Sequence, residues 1–385
     1  MAAIGAGLEG KVRDLIARQI AAGRQLGVQV CAYRYGERIL DLWAGQMGPN
    51  DPRPVQADTL FSSFSTTKGV AATALHILAD RGLIDVDAPV ARYWPEFAAN
   101  GKEGVTVALA MSHQAGLHAM PRPATVEFLI DWDAGLRWVA NGTPAWPPGT
   151  ATGYHAITFA WIVGGIVGAA SGRHIKDVIR EEIAAPLGVA DEMYVGIPDG
   201  VEARLATLKT PQPGAGAGAV RIPEDHDFFK AMPPELPASI YNEMRVRKAC
   251  LPSANGHFTA RALAKMYAAL ANGGIVEGVQ LVSRGRIAAM QRVLTDARDR
   301  VLGLPIPKGV GFMMGGTWAG NGGVSVFGPR RSAFGHSGAG GSTAFADPDT
   351  GLAVAVTLNQ MQTTLQAEGP TWEICQLIRQ ELGVA

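Results

Sequence analysis

Apolar residues between positions 8 and 22 recur at helical spacing and predict a short amphipathic helix from Leu8 to Ala22. The pattern then shortens. Gly27 to Gly36 and Arg38 to Gly45 read as two strands, and the Gly36-Glu37 step between them is a hairpin signal. A helix follows over Lys68 to Arg81, with Ala71, Leu75 and Leu78 on one face and Gly82 as its stop. Ile157 to Ala170 is apolar nearly all round, which predicts a buried helix. Thr259 to Asn272 places Leu263, Met266, Tyr267 and Leu270 at helical spacing before Gly273-Gly274. Lys209 to Pro237 has no period. It holds a low-complexity Pro/Gly/Ala run from Pro211 to Val220, and a loop of that length in a globular chain reads as a wall over a pocket. Beyond Gly303 short strand-like runs return: Val310–Met314, Gly323–Gly328, Arg331–His336, Ser342–Ala346 and Leu352–Leu358, with a turn cluster at Asp347-PDTG. A last helix spans Thr371 to Leu382. Strands at both ends and helices between them predict an α+β fold. One antiparallel sheet is built from the N- and C-terminal segments and flanked by helices, with a mainly helical lobe inserted.

Composition narrows the class. With 385 residues, 47% apolar and 18% charged, the chain can bury a large core as two lobes or one large domain. Lys plus Arg equals Asp plus Glu at 34 each, so no electrostatic footprint for nucleic acid or an anionic membrane is present. Cys31, Cys250 and Cys375 are far apart and odd in number, which fits reduced, mostly buried thiols rather than a disulfide framework. The N-terminal residues show no charged start, apolar core or small-residue cleavage site of a secretory signal. The longest apolar stretch falls below the roughly 17–25 residues that span a bilayer. A cytoplasmic protein without membrane or nucleic-acid partners is the expectation.

Three local features carry chemistry. In Ser65-Thr66-Thr67-Lys68 the serine and lysine lie three positions apart, on one face of a helix. A serine hydroxyl needs a base to become a nucleophile, and a lysine amine serves when burial keeps it neutral. A helix N-terminus favours the charge that develops there. The same four residues also fit an N-cap serine followed by an exposed lysine. Second, Pro147 to Phe159 leads from a Pro/Gly turn into the buried helix and sets Tyr154, with His155 beside it, on a rigid loop. A phenol facing Ser65 and Lys68 relays protons, and one facing the core only fills space. Third, Gly335-His336-Ser337-Gly338-Ala339-Gly340-Gly341 precedes a strand. Its glycines allow close approach of a ligand, and the Ala339 N–H can pair with that of Ser65 as an oxyanion hole. The alternative for this segment is a tight bend. A nucleophile elbow at Ser337 fails, because Ala339 stands where its last glycine belongs. His113 and Asn255 read as loop organisers. The remaining histidines have no metal-ligand spacing, and the Gly-rich 214–219 run lacks the Lys-Ser/Thr of a phosphate loop, so neither metal nor cofactor is expected.

Taken in order, S-x-x-K, a tyrosine motif about ninety residues later and a glycine turn before a C-terminal strand resemble the serine β-lactamase and penicillin-binding-protein superfamily. The likeness is closer to its β-lactamase-like (family VIII) carboxylesterases and to related acyltransferases of polyketide side-chain attachment. It runs over about residues 25–360, through Leu60-FSSFSTTKGV, Met111-SHQAGL, Pro148-GTATGYHAITF, Ala185-PLG, Pro252-SANGHFTARALA and Phe334-GHSGAGGSTAFADPDTGLA. The resemblance implies a β-lactamase/transpeptidase-like fold. Residues 1–60 with 300–385 would form an α/β lobe, 61–299 a helical lobe, and the active site would lie between them. It also implies Ser65 as nucleophile, Lys68 and Tyr154 as the proton-handling pair, and the Ser65 and Ala339 N–H groups as oxyanion donors. His155, His336, Ser337 and Gly338 become substrate-binding or supporting residues. Two positions depart from class C β-lactamases: Ala156 replaces an asparagine and His336 a lysine, residues expected to handle the amide and carboxylate of a β-lactam. The departures shift the expected substrate to small or medium acyl esters. Acyl transfer through the same acyl-enzyme, β-lactam or peptide hydrolysis, and a non-catalytic binding role are the competing readings.

Overall fold

The structure is a computed structural model that describes residues 2–211, 223–318, 323–362 and 368–385. The N-terminal helix Ala2–Ala21 leads into strands β1 (Gly27–Arg34), β2 (Glu37–Gly48) and β3 (Asp51–Pro54). The β1–β2 turn falls on Tyr35-Gly36, one residue earlier than expected. Both residues have positive φ, 51° and 80°, the backbone of a two-residue hairpin turn that matches strand twist. Three short strands of a second sheet, β4 (Phe61–Ser62), β5 (Met193–Val195) and β6 (Gly256–Phe258), pair in the order β4-β6-β5. Two or three residues carry no measurable period, so the sequence does not announce them. A minor hairpin joins β7 (Ile275–Val276) to β8 (Val279–Gln280). The C-terminal part supplies β9 (Met313–Met314), β10 (Phe334–Ser337), β11 (Thr343–Asp347) and β12 (Leu352–Leu358), then the helix Pro370–Glu381.

The main sheet has seven strands in the order β3-β2-β1-β12-β11-β10-β9, antiparallel throughout. The chain's two ends therefore meet at the β1–β12 pair, where Val28 faces Leu358 and Arg34 faces Leu352. Its two faces differ in size. On the outer face, Val28 and Val30 of β1 and Leu352, Val354, Val356 and Leu358 of β12 pack with Leu8, Val12 and Ile16 of the first helix and Ile374 and Ile378 of the last. On the inner face the same strands offer Cys31, Ala353 and Ala355, and β11 offers Ala344 and Ala346. The helix lying on that face, Ala260–Ala271, is itself alanine-rich. Small side chains on both surfaces let helix and sheet approach closely, which strand alternation accomplishes without changing any backbone geometry.

The inserted region is mainly helical. Its principal members are Thr66–Asp80, whose residues are buried from Thr66 through Ala79, and Phe159–Ser171, the all-apolar helix expected from the sequence. Three expected strands are shorter or absent. Only Met313–Met314 of the 310–314 run is paired, because Gly311 takes φ +81° and bonds to Met111. Of 323–328, Val324 alone forms a bridge, to Thr317, and the rest turns through Ser325–Gly328. The 331–336 run begins pairing only at Phe334, after a turn closed by Ala333 and Arg330. Within the expected pocket wall, residues 212–222 lie outside the described residues, and Asp227–Ala231 forms a short helix capped by His226. All three cysteines are free thiols, Cys31 and Cys375 buried and Cys250 partly so. No helix among the described residues is long and apolar enough to cross a membrane.

Ala355 sits between Cys31 and Ala344 in this small-residue layer. Ala355→Leu should destabilise the fold by about 1–3 kcal/mol through overpacking, read as a lower urea midpoint; an unchanged midpoint would show that the helix does not need that close approach.

Candidate active site

Ser65 opens the helix Thr66–Asp80 after an unusual entry. Phe64 carries φ +48°, a left-handed conformation that costs a non-glycine residue energy and persists only where the surroundings over-determine it. Those surroundings are visible. Ser63 N–H donates to Gly256 O, Phe64 bridges to Asn255, and Phe64 packs on Tyr241 at 5.0 Å between ring centroids. Thr66 Oγ1 donates to Ser63 O and Thr67 Oγ1 to Phe64 O, while Gly256 N–H donates to Thr67 Oγ1. The hydroxyls of the S-T-T-K motif thus bind the turn that presents its serine.

The choice between an N-cap serine and a serine–lysine pair is decided by two observations. Ser65 makes no side-chain cap bond, and Lys68 has no exposed surface. Lys68 Nζ lies 3.1 Å from Ser65 Oγ, 2.7 Å from Ala156 O and 2.9 Å from Ser253 O. Burial holds the amine well below the ordinary lysine range. A neutral amine has two N–H groups and one lone pair. The two carbonyls take the N–H groups, which leaves the lone pair for the Ser65 hydroxyl. Nζ also lies 4.7 Å from the Tyr154 ring centroid and 5.6 Å from that of Phe159.

Tyr154 is buried, with its phenol near enough to the Ser65 side chain to be influenced by it. Burial pushes the phenol far above its ordinary range, and the Ser65 contact only partly opposes this, so the resting group is a neutral phenol rather than a phenolate. Its loop is clamped from two sides. Asp299 accepts N–H bonds from Tyr154, Val301 and Leu302 and forms a fully buried ion pair with Lys308 at 2.9 Å. Burial pushes the Asp299 carboxyl up, but Lys308 and the Leu302 N–H outweigh it and hold the carboxyl below its usual range. Lys308 also donates to Thr152 Oγ1, two residues before the tyrosine. On the other side stands His113, at φ +65°. Its carbonyl accepts Gly153 N–H, its Nδ1 accepts His155 N–H, and its ring lies 4.8 Å from that of Tyr154. His155 Nε2 accepts Leu117 N–H, so its proton sits on Nδ1, which lies 3.3 Å from His113 Nδ1. Burial holds His155 at about 3 and His113 well below its normal range, so both rings are neutral at neutral pH.

The glycine segment approaches from β10. A Cβ on Gly338 would overlap Ser63 O, so only glycine allows the β10–β11 turn to lie against the residues before Ser65. Gly338 N–H donates to Ser342 O and Gly341 N–H to Gly338 O, which shapes the turn. Among the described residues, neither Ser65 N–H nor Ala339 N–H donates to a protein acceptor, and Ala339 is exposed. His336 is buried 6.0 Å from the Tyr154 ring, and burial lowers its pKa to about 3. Its Nδ1 bonds Ser337 O, while the buried Nε2 has no partner. Ser337 Oγ pairs with Thr343 Oγ1 at 2.8 Å.

Ser65, Lys68 and Tyr154 therefore come together, with the 336–339 segment beside them. His155 is turned into the loop behind Tyr154. Asn255 organises its turn as expected, bonding Leu251, Val246 and Ala249. Sequence reasoning missed Asp299 and Lys308, which lie in stretches with no motif, and the Ser253 carbonyl, since a main-chain acceptor leaves no residue signature. Among the described residues, no group of three or more His, Cys, Asp or Glu is placed to hold a metal ion.

Comparison with known proteins agrees over nearly the whole chain. The family model described as Beta-lactamase matches residues 12–374. Esterase/beta-lactamase LipL of Mycobacterium tuberculosis is 37% identical over 353 residues, 89% of this chain and 79% of that protein. Among solved structures, a family VIII carboxylesterase superposes with a TM-score of 0.88 at 36% identity, covering 97% of each chain. A penicillin-binding protein homologue from Caulobacter crescentus gives 0.87 at 36% identity, covering 96% of each chain.

The buried ion pair behind Tyr154 makes a separable prediction. Lys308→Met strands Asp299 as an unpaired buried carboxylate and should cost about 3–5 kcal/mol in urea unfolding. The double variant with Asp299→Asn should recover part of that loss. If the double variant is no better than Lys308→Met, the stranded charge is not what destabilises the single one.

Proposed function

The chain belongs to the beta-lactamase family, and from that premise we propose that it is a serine carboxylesterase that cleaves esters of small or medium acyl groups through an acyl-enzyme on Ser65. The observation that carries this reading is the fully buried Lys68 amine 3.1 Å from Ser65 Oγ. Ester chemistry is supported by relatives at 36–37% identity, one named Esterase/beta-lactamase and one a family VIII carboxylesterase. Ala156 and His336, where class C β-lactamases carry amide- and carboxylate-handling residues, point the same way.

Ser65 Oγ attacks the ester carbonyl as its proton passes to the neutral Lys68 amine. The oxyanion is held by the Ser65 and Ala339 N–H groups, worth roughly 3 kcal/mol per donor in comparable sites. On collapse, the Tyr154 phenol gives its proton to the departing alcohol oxygen and regains one from the Lys68 ammonium. The pair is then back in its resting state. Water repeats the sequence in reverse on the acyl-enzyme: it loses a proton through Tyr154 and Lys68, and Ser65 leaves as the hydroxyl. Transfer to an alcohol would use the same intermediate with a different acceptor. The substrate is a small-molecule ester, no cofactor is required, and the three free thiols support a reducing, cytoplasmic setting.

Ser65→Ala should lower kcat/KM for p-nitrophenyl butyrate by at least about 10³-fold, and wild-type protein quenched during turnover should carry one butyryl group on Ser65 by mass spectrometry. Wild-type turnover by Ser65→Ala would refute the assignment.

A further inference from the structure

A cavity of about 660 Å³ opens in the helical lobe, and none of Ser65, Lys68, Tyr154 and His336 lines it. The helix Trp132–Asn141 supplies one side through Ala134, Arg137, Trp138 and Asn141, positions three and four apart and therefore on one face. Phe128 and the segments 116–119 and 142–145 supply the rest. The walls are held by bonds that need no ligand. Leu117 N–H donates to His155 Nε2, and Leu117 O accepts from Thr158 Oγ1. Ala145 N–H donates to Gly116 O, and Trp138 Nε1–H donates to Ala119 O. The opening is therefore preformed, the usual state of a small-molecule site, and its volume falls within the roughly 300–1,000 Å³ such sites occupy.

The floor is apolar. Leu117 and Val139 are buried, and Phe128 and Trp138 meet edge to face at 6.0 Å between ring centroids. Trp138 nevertheless stays 38% exposed, so an aromatic surface is left to water that an apolar occupant would cover. Charge at the mouth has one sign. Arg137 is the sole charged residue lining the cavity; it is exposed, and among the described residues its guanidinium has no hydrogen bond or ion pair. The two acids of the same helix do not compensate it. Asp131 caps the helix through Ala134 N–H, and Asp133 neither lines the cavity nor pairs with Arg137. Carbonyls at and just after the C-terminal end of the helix, which left free would repel an anion, are engaged. Asn141 Nδ2 donates to Arg137 O, Asn100 Nδ2 to Asn141 O, and the buried Lys102 amine to Gly142 O.

We infer that this cavity binds an amphiphilic carboxylate, with a medium-length alkyl chain on the apolar floor and the carboxylate on Arg137. The planar guanidinium matches a carboxylate with two parallel hydrogen bonds, a fit that neither an alcohol nor an alkylammonium offers. Acids of this kind are what hydrolysis of a medium-chain ester releases. That meaning rests on the ester-hydrolase reading above, whereas the site itself does not require Ser65 to react.

The test uses the full chain with octanoate, octan-1-ol and octylammonium, their affinities measured by calorimetry at low ionic strength. A photoreactive octanoic acid carrying a diazirine in its chain maps the site by mass spectrometry. Octanoate should bind at least about tenfold more tightly than the alcohol or the ammonium, the effect of one charge-assisted pair. The label should fall within residues 116–119 and 134–145 and be displaced by octanoate. Arg137→Gln should weaken octanoate about tenfold, leave octan-1-ol unchanged, and keep kcat/KM for p-nitrophenyl butyrate at its wild-type value. Ala134→Phe, at a half-buried lining position, should fill the cavity and remove the label. Arg137 is exposed, so Arg137→Gln is expected to fold, and circular dichroism checks this. Equal affinity for acid and alcohol, octanoate binding unmoved by Arg137→Gln, or label confined to the peptides bearing Ser65 or Tyr154 overturns the inference. The binding readouts need no turnover, so failure to find an acyl group on Ser65 would count against the ester-hydrolase reading and leave this site standing.

Discussion

An amine sealed from water, with two main-chain carbonyls as its companions, is the constraint around which this molecule is arranged. Charged, Lys68 would bear the full cost of desolvation without a carboxylate to offset it. Neutral, it needs only two acceptors, and Ala156 and Ser253 provide them. The remaining lone pair then has one neighbour to act on, the hydroxyl of Ser65. The nucleophilic role proposed for the serine thus depends on where a lysine is buried, and burial is a property of the whole lobe.

Keeping that amine beside its serine takes stiffness in three directions. The left-handed Phe64 sets the exit angle of the turn, and the paired segments at Ser63–Phe64 and Asn255–Gly256 hold it against its preference. The Asp299–Lys308 pair and the His113–His155 contact fix the loop that carries Tyr154. Gly338 brings the edge of the large sheet against the same turn. The hydrogen-bonded and charged devices are polar and buried, a combination that is costly unless fully satisfied and rigid once it is. The large sheet contributes by joining the two ends of the chain at the β1–β12 pair, so the β10–β11 turn bearing Ala339 is tied through β11 and β12 to the N-terminal strands.

Much of this was legible in the residues. The helices from Thr66, Phe159 and Ala260 and the strands β1, β2 and β12 followed from period alone, because each is long and carries an apolar pattern. The serine, lysine and tyrosine were legible as an ordered set, since chemistry that needs side chains leaves side chains in the sequence. What was hidden has a physical reason in each case. The strands β4, β5 and β6 are too short for periodicity. The expected strands near 310 and 323 broke where Gly311 and Gly328 adopt positive φ. The acceptors of Lys68 are carbonyls, which every residue owns. Asp299 and Lys308 act across nine positions of irregular chain, where no repeat announces a partner.

The protonation state of Lys68 can be observed directly. With lysine side chains isotopically labelled and the Lys68 signal assigned by loss in Lys68→Arg, its Nζ and Cε chemical shifts are followed from pH 6 to 11 by nuclear magnetic resonance. The account predicts free-amine shifts at neutral pH, with protonation only as pH falls well below the ordinary lysine range of about 10.4. An ammonium signal for Lys68 that persists through pH 9 would contradict it.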